Sequence, residues 1–171
     1  MPDTSATAAT RRRDYSRVQP VIAPASSREV RMQAVADALW DAFSNEGYSW
    51  VGFYVKPGDR DELVLGPRRD KPACSPIGLH GACGRAWRER RALVVRDVAS
   101  LGRNYVACDP RDRSEVVVPM LDPSGECWGV LDADSHDVGA FSDNDADALA
   151  ELLVRAGLSS AAVASRTPIV I

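Results

Sequence analysis

Trp50-Val51-Gly52-Phe53-Tyr54-Val55, then Lys56-Pro57-Gly58-Asp59, then Glu62-Leu63-Val64-Leu65, is the stretch that decides the fold. Two runs rich in aliphatic and aromatic residues flank a turn built of Pro, Gly and Asp, which predicts an antiparallel hairpin. The pattern recurs downstream: Glu115 to Leu121 and Trp128 to Ala133 are separated by Asp122-Pro123-Ser124-Gly125. Ala92 to Val95 reads as a further strand and Cys83 to Arg91 as a short helix. Helical spacing governs both ends. Met32, Val35, Leu39 and Phe43 recur behind Ser26-Ser27-Arg28-Glu29, a Ser followed three residues on by Glu, and Gly47 suits a left-handed cap. Leu149, Leu152, Leu153 and Ala156 follow a second such box, Ser142 to Asp145. Tight hairpins between two amphipathic helices predict an α+β domain with a central, mainly antiparallel sheet.

The rest of the chain fits one such domain. There are 171 residues, 45% hydrophobic and 26% charged, an ordinary globular composition. Lys+Arg 21 against Asp+Glu 24 leaves a net charge of -3, which argues against nucleic acid as a partner bound through a basic field. No apolar run reaches the roughly 18 residues of a membrane span, so no membrane association is expected. Residues 1–27 are rich in Ala, Ser, Thr, Pro and Arg and read as a disordered tail; residues 28–165 form the expected domain, and 166–171 a C-terminal tail. Arg11-Arg12-Arg13 has the composition of a transit peptide, which stays the alternative. Val21-Ile22-Ala23, between Pro20 and Pro24, is too short for a secretory core, so a cytoplasmic location with reduced thiols is expected.

Strand alternation sorts the side chains by face. Val51, Phe53 and Val55 point toward the core under the helices, and Trp50, Gly52 and Tyr54 the other way, with room beside the glycine. Asp132 and Asp134 share one face near a strand end, an unusual place for Asp; capping of that end is the plainer explanation. Glu115 reads as a solvated first residue of its strand. Of four cysteines, Cys127 begins an apolar strand and fits the core, whereas Cys74, Cys83 and Cys108 fall in loops or at a helix start. A zinc site from Cys74, His80, Cys83 and Cys108 lacks the tight ligand pairs such sites use, so no metal is expected. Cys83 opens a short helix, with Lys71 and Arg85 near in sequence, a setting that favours thiolate character.

Several stretches taken together resemble the free methionine-(R)-sulfoxide reductases, small single GAF-domain enzymes. They are Trp50-Val51-Gly52-Phe53-Tyr54, Leu63-Val64-Leu65-Gly66-Pro67, Lys71-Pro72-Ala73-Cys74, Gly81-Ala82-Cys83-Gly84, Ala107-Cys108-Asp109, Ser114 to Pro119 and Gly129 to Ser135. The similarity runs over roughly residues 30–160, and many short motifs in order are far more specific than any one of them. It implies a GAF-like fold with the N- and C-terminal helices on one face of the sheet. It also implies an oxidoreductase that reduces free methionine-(R)-sulfoxide without a cofactor, is recycled by thioredoxin, and forms a homodimer.

The resemblance further implies roles. Cys108 matches the nucleophile that becomes a sulfenic acid, Cys74 the resolving thiol that closes a disulfide with it, and Cys83 an auxiliary thiol. Trp50 and Tyr54 match aromatics at the substrate's methyl end; Glu115, Asp132 and Asp134 match an acidic cluster around the substrate. Two departures fall in the loops: Arg68-Arg69-Asp70 stands where the family pattern has Phe-Gln-Gly, and Ile77 to Ala82 is one residue short. A non-catalytic GAF module that binds a small molecule or senses redox state is the alternative.

Overall fold

The computed structural model describes residues 12–105 and 108–171. Three helices and seven strands follow in the order α1 (Arg28–Phe43), β1 (Trp50–Val55), β2 (Glu62–Arg69), β3 (Ile77–Gly78), α2 (Ala82–Glu89), β4 (Leu93–Val95), β5 (Ser114–Leu121), β6 (Cys127–Ser135), α3 (Asp143–Arg155) and β7 (Ile169–Val170). The strands form one sheet in the order β3-β2-β1-β6-β5-β4-β7. Every pairing is antiparallel except β4 with β7. This is the α+β architecture that the two hairpins predict.

The predicted faces hold. Val51, Phe53, Val116, Val118, Leu131 and Ala133 share one core with Met32, Val35, Leu39 and Phe43 of α1 and Leu149, Leu152 and Leu153 of α3. Both long helices therefore lie on the same face. Trp50, Tyr54, Val117 and Val130 belong to a second cluster on the other face, with Leu63, Leu93, Val95 and the α2 residues Ala82, Cys83 and Ala86. The sheet thus separates a purely structural core from a thinner layer under α2, where the polar chemistry collects.

Local details depart from the sequence reading in four places. The α1 N-cap is Ser27, whose hydroxyl accepts from the Val30 N–H, one residue later than the Ser26–Glu29 pairing predicts. The space expected beside Gly52 is filled by the Trp50 indole. Residues 12–27, expected to lie in a tail, pack on the domain: Val18 is buried in the helix-side core and the Arg13 guanidinium is fully covered. Composition misses this because the segment anchors through one cation and two apolar side chains rather than an apolar run. Residues 1–11 of that expected tail lie outside the described residues. Finally, Ile169 and Val170, in the expected C-terminal tail, add the parallel edge strand beside β4. Among the described residues, no helix is long and apolar enough to cross a membrane.

Candidate active site

Register builds the acidic floor of the site. β6 pairs with β5 so that Asp134 faces Glu115, and with β1 so that Asp134 faces Trp50 and Asp132 faces Gly52. Three carboxylates from two neighbouring strands thereby point off one face, with oxygens within 4.8 Å of one another. Glu115 and Asp132 are buried, at 6% and 7% exposure. Burial pushes all three carboxyls well above their ordinary range, and their mutual repulsion adds to it. Glu115 and Asp132 lie close enough to share a proton. Asp132 Oδ1 is buried with no hydrogen-bond partner among the described residues. Such an orphaned oxygen is costly unless something else meets it.

The pocket above this floor is narrow, about 40 Å³, and is lined by Trp50, Tyr54, Cys83, Tyr105, Cys108, Glu115, Asp132 and Asp134, with Asp112, Ile77, Ala73, Gly81 and Ala82 completing it. Seven of the eight residues singled out in the sequence line it. The eighth, Cys74, stands at the rim beside Cys108. Its thiol neighbours the Cys108 thiol and disfavours the thiolate there, while its backbone N–H favours it. Burial, with that thiol contact next, outweighs this help and pushes Cys108 up to about 12. Cys74 and Cys108 are both exposed, and all four cysteines are free thiols. Ala107 of the Cys108 motif lies outside the described residues.

Trp50 and Tyr54 do more than wall the pocket. Trp50 Nε1 donates to the Lys71 carbonyl at 2.9 Å and Tyr54 OH to the Cys74 carbonyl at 2.9 Å, so both aromatics hold the Cys74 loop over the sheet. Cys83 lies in the first turn of α2, buried, with its thiol beside Asp132. The helix start does not make it acidic: burial and then the Asp132 and Glu115 charges push it well above a thiol's ordinary value. This corrects the expectation of thiolate character. Lys71 is engaged elsewhere, on Asp109, and Arg85 on Glu89.

Sequence reasoning passed over Tyr105 and Asp112. Asp112 is buried and accepts from Ser49 Oγ at 3.0 Å, yet Asp109-Pro110-Arg111-Asp112 reads as a plain turn, with no signal to find it. Two groups have cation-holding geometry, Glu115/Asp132/Asp134 and Asp109/Asp112/His136. In the first, the carboxyls face the pocket from two neighbouring strands. In the second, Lys71 and Arg111 already neutralise Asp109.

A sheet of this order carrying a polar pocket on its α2 face is the plan of a GAF domain, and the GAF domain family model matches residues 25–158. The chain belongs to the GAF-domain family. Within it, the chain is 36% identical over 120 residues to GAF domain-containing protein A of Dictyostelium discoideum, covering 70% of this chain and 72% of that protein. It is 34% identical to the free methionine-R-sulfoxide reductase of Saccharomyces cerevisiae, over 67% of this chain and 65% of that enzyme. The chain thus spans just under two thirds of the length of the yeast relative. Among solved structures, the free methionine-R-sulfoxide reductase of Neisseria meningitidis in complex with its substrate is 38% identical with a TM-score of 0.70, over 76% of this chain and 75% of that one.

Proposed function

We propose that this chain is an oxidoreductase that reduces free methionine-(R)-sulfoxide to methionine. The observation that carries the proposal is the meeting of an exposed thiol pair, Cys74 and Cys108, with three crowded, partly protonated carboxyls in one pocket. A sulfoxide oxygen leaves only when protonated or strongly hydrogen-bonded, and carboxyls that cannot all ionise keep such a proton at neutral pH. Cys108 attacks the sulfoxide sulfur, Glu115 and Asp134 polarise the oxygen, and Asp132 orients them or the substrate. The oxygen passes from the substrate sulfur to the Cys108 sulfur, so the substrate's S–O bond breaks as methionine departs and Cys108 is left as a sulfenic acid, the thiol oxidised by two electrons and the sulfoxide reduced by two.

Cys74 then condenses with the sulfenic acid, releasing water and leaving a Cys74–Cys108 disulfide. Thioredoxin reduces it by exchange, which the exposure of both cysteines permits. The substrate carboxylate has a natural place at the start of α2, where Gly81 offers no side-chain cap and the first amides stay open to an anion. Trp50 and Tyr54, ring centroids 6.2 Å apart, receive the methyl end. A cytoplasmic location and homodimeric assembly complete the proposal, on the strength of the family resemblance; light scattering tests the latter.

The decisive experiment incubates the reduced protein with free methionine-(R)-sulfoxide and thioredoxin, beside the S epimer and a peptide-bound sulfoxide. Methionine is expected from the free R epimer alone. No release from a folded protein with free thiols would overturn the reading in favour of a ligand-binding or redox-sensing module. Cys108→Ser should abolish turnover, Cys74→Ser should block thioredoxin recycling while sparing the first turnover, and Glu115→Gln should lower kcat by about 10²-fold or more with little change in binding.

A further inference from the structure

The two cysteines sit on separate loops that nothing in the sheet joins. Cys74 follows β2, and Cys108 precedes β5 on a turn closed by Asp112 N–H to the Asp109 carbonyl at 3.1 Å. Across the gap, Lys71 Nζ donates to Asp109 Oδ2 at 2.6 Å. Lys71 lies three residues before Cys74 and Asp109 is the residue after Cys108. Each end of this bridge is itself held. The Lys71 carbonyl is fixed by the Trp50 indole. The Asp109 carboxylate takes the Arg111 N–H and Nε at 3.0 Å and Nη2 at 2.9 Å, and is 13% exposed. Arg111 first, then Lys71, hold the Asp109 carboxyl far below its ordinary range, so it stays charged at any working pH.

We propose that Lys71 and Asp109 are positioning residues that clamp the two loops in register, so that Cys74 captures the Cys108 sulfenic acid faster than it is lost to side reactions. The proposal rests on the redox pairing of Cys74 with Cys108 argued above. The step it controls is balanced: the S–S bond forms, the S–O bond of Cys108 breaks, and hydroxide leaves with the Cys74 thiol proton as water. Lys71 meets the Trp50 ring only through its backbone carbonyl, which a side-chain substitution leaves in place, and the Asp109 carboxylate lies with Asp112 and His136 rather than in the Glu115, Asp132 and Asp134 cluster, so the clamp acts on closing more than on sulfoxide attack.

The test separates the two steps. Reduced Lys71→Met, Asp109→Asn, Lys71→Arg and wild type are oxidised once with hydrogen peroxide, which makes the Cys108 sulfenic acid and water without any sulfoxide. Dimedone is present to trap that sulfenic acid, and mass spectrometry reads the ratio of Cys108 adduct to disulfide. The charge-removing variants should raise that ratio about tenfold or more, the scale expected when reacting groups lose alignment. Lys71→Arg should return most of it. In a parallel single turnover with methionine-(R)-sulfoxide and no reductant, methionine release should stay within about twofold of wild type. A wild-type adduct ratio in both Lys71→Met and Asp109→Asn overturns the clamp, as does an equal loss of release and closing. Should no protein release methionine while the peroxide ratio still shifts, the substrate assignment falls and the clamp stands. Asp109→Asn keeps the turn's acceptor for the Arg111 N–H and serves if Lys71→Met does not fold.

Discussion

The three carboxyls show what a pocket costs its protein. Each has a folded pKa raised above its unfolded value by burial, then by its neighbours' charges. The sign follows from linkage: the folded state binds more protons than the unfolded one. As pH falls through about 4 the unfolded carboxyls become protonated as well, and the cost of the cluster fades. As pH rises from there, the unfolded chain releases protons that the fold retains, and stability drains away until the folded groups ionise. Asp132→Asn keeps the shape and removes one competitor for charge. It should be more stable than wild type by about 1–3 kcal/mol at pH 7, the usual scale for relieving an uncompensated buried polar group. The gain should vanish near pH 4. Urea melts at the two pH values check this, and an equal gain at both would refute the linkage. That these side chains would gather was legible in the sequence, through motifs and through the oddity of two Asp in one strand. Their protonation was not, because it depends on how closely Glu115 of β5 approaches β6.

At the scale of elements, alternation and turn chemistry carried the sheet, because each hairpin brings its own Pro, Gly and Asp. The β4–β7 pairing was not legible: two residues in parallel have neither a turn nor a run to announce them. Gly52 was legible only as space. A Cβ there would lie 2.4 Å from Trp50 Cη2 and 2.7 Å from Cζ2, with Arg68 Cβ at 2.8 Å on the other side. The indole therefore lies flat against its own strand, which is what lets its Nε1 reach the Lys71 carbonyl. Gly52→Ala should lift the ring, break that hydrogen bond and loosen the Cys74 loop. The expected result is a red-shifted tryptophan emission and a loss of kcat/KM of about tenfold or more, with secondary structure unchanged. Unaltered emission and turnover would mean that the indole has room to slide aside. Fluorescence and steady-state kinetics on the one variant decide it.

For the molecule as a whole, residues 12–27 ahead of α1 are part of the fold. Arg13 threads between the rings of Tyr48 and Phe141, at 5.1 and 4.8 Å from their centroids. Its Nη1 donates to Asp145 Oδ1 at 3.0 Å and to the Ala140 carbonyl at 2.9 Å, and its Nε to the Glu46 carbonyl at 3.1 Å. Asp145 in turn accepts from Tyr15 OH at 2.8 Å and from the Ser142 N–H at 2.9 Å, at the start of α3. One guanidinium thus ties the N-terminal segment, the end of α1 and the start of α3 together, with side chains 0% and 3% exposed. A buried ion pair of this kind adds little over a hydrophobic match, but breaking it strands the remaining charge. Arg13→Ala should cost about 3–5 kcal/mol. Arg13→Met refills the slot between the rings and should recover only part of that, because the Asp145 charge stays uncompensated. Asp145→Asn in the Arg13→Met background removes that charge; its one carbonyl oxygen can still accept from the Ser142 N–H, with its amide turned to the Tyr15 hydroxyl, which can accept and donate on to Tyr48. The double variant should therefore be more stable than Arg13→Met alone, a coupling that independent sites would not give. Urea unfolding of the three variants measures it. The pocket lies on the opposite face of the sheet, so methionine release at low temperature should persist in all three. If Arg13→Ala unfolds like wild type, the segment merely rests on the domain and the charge inside it has another partner.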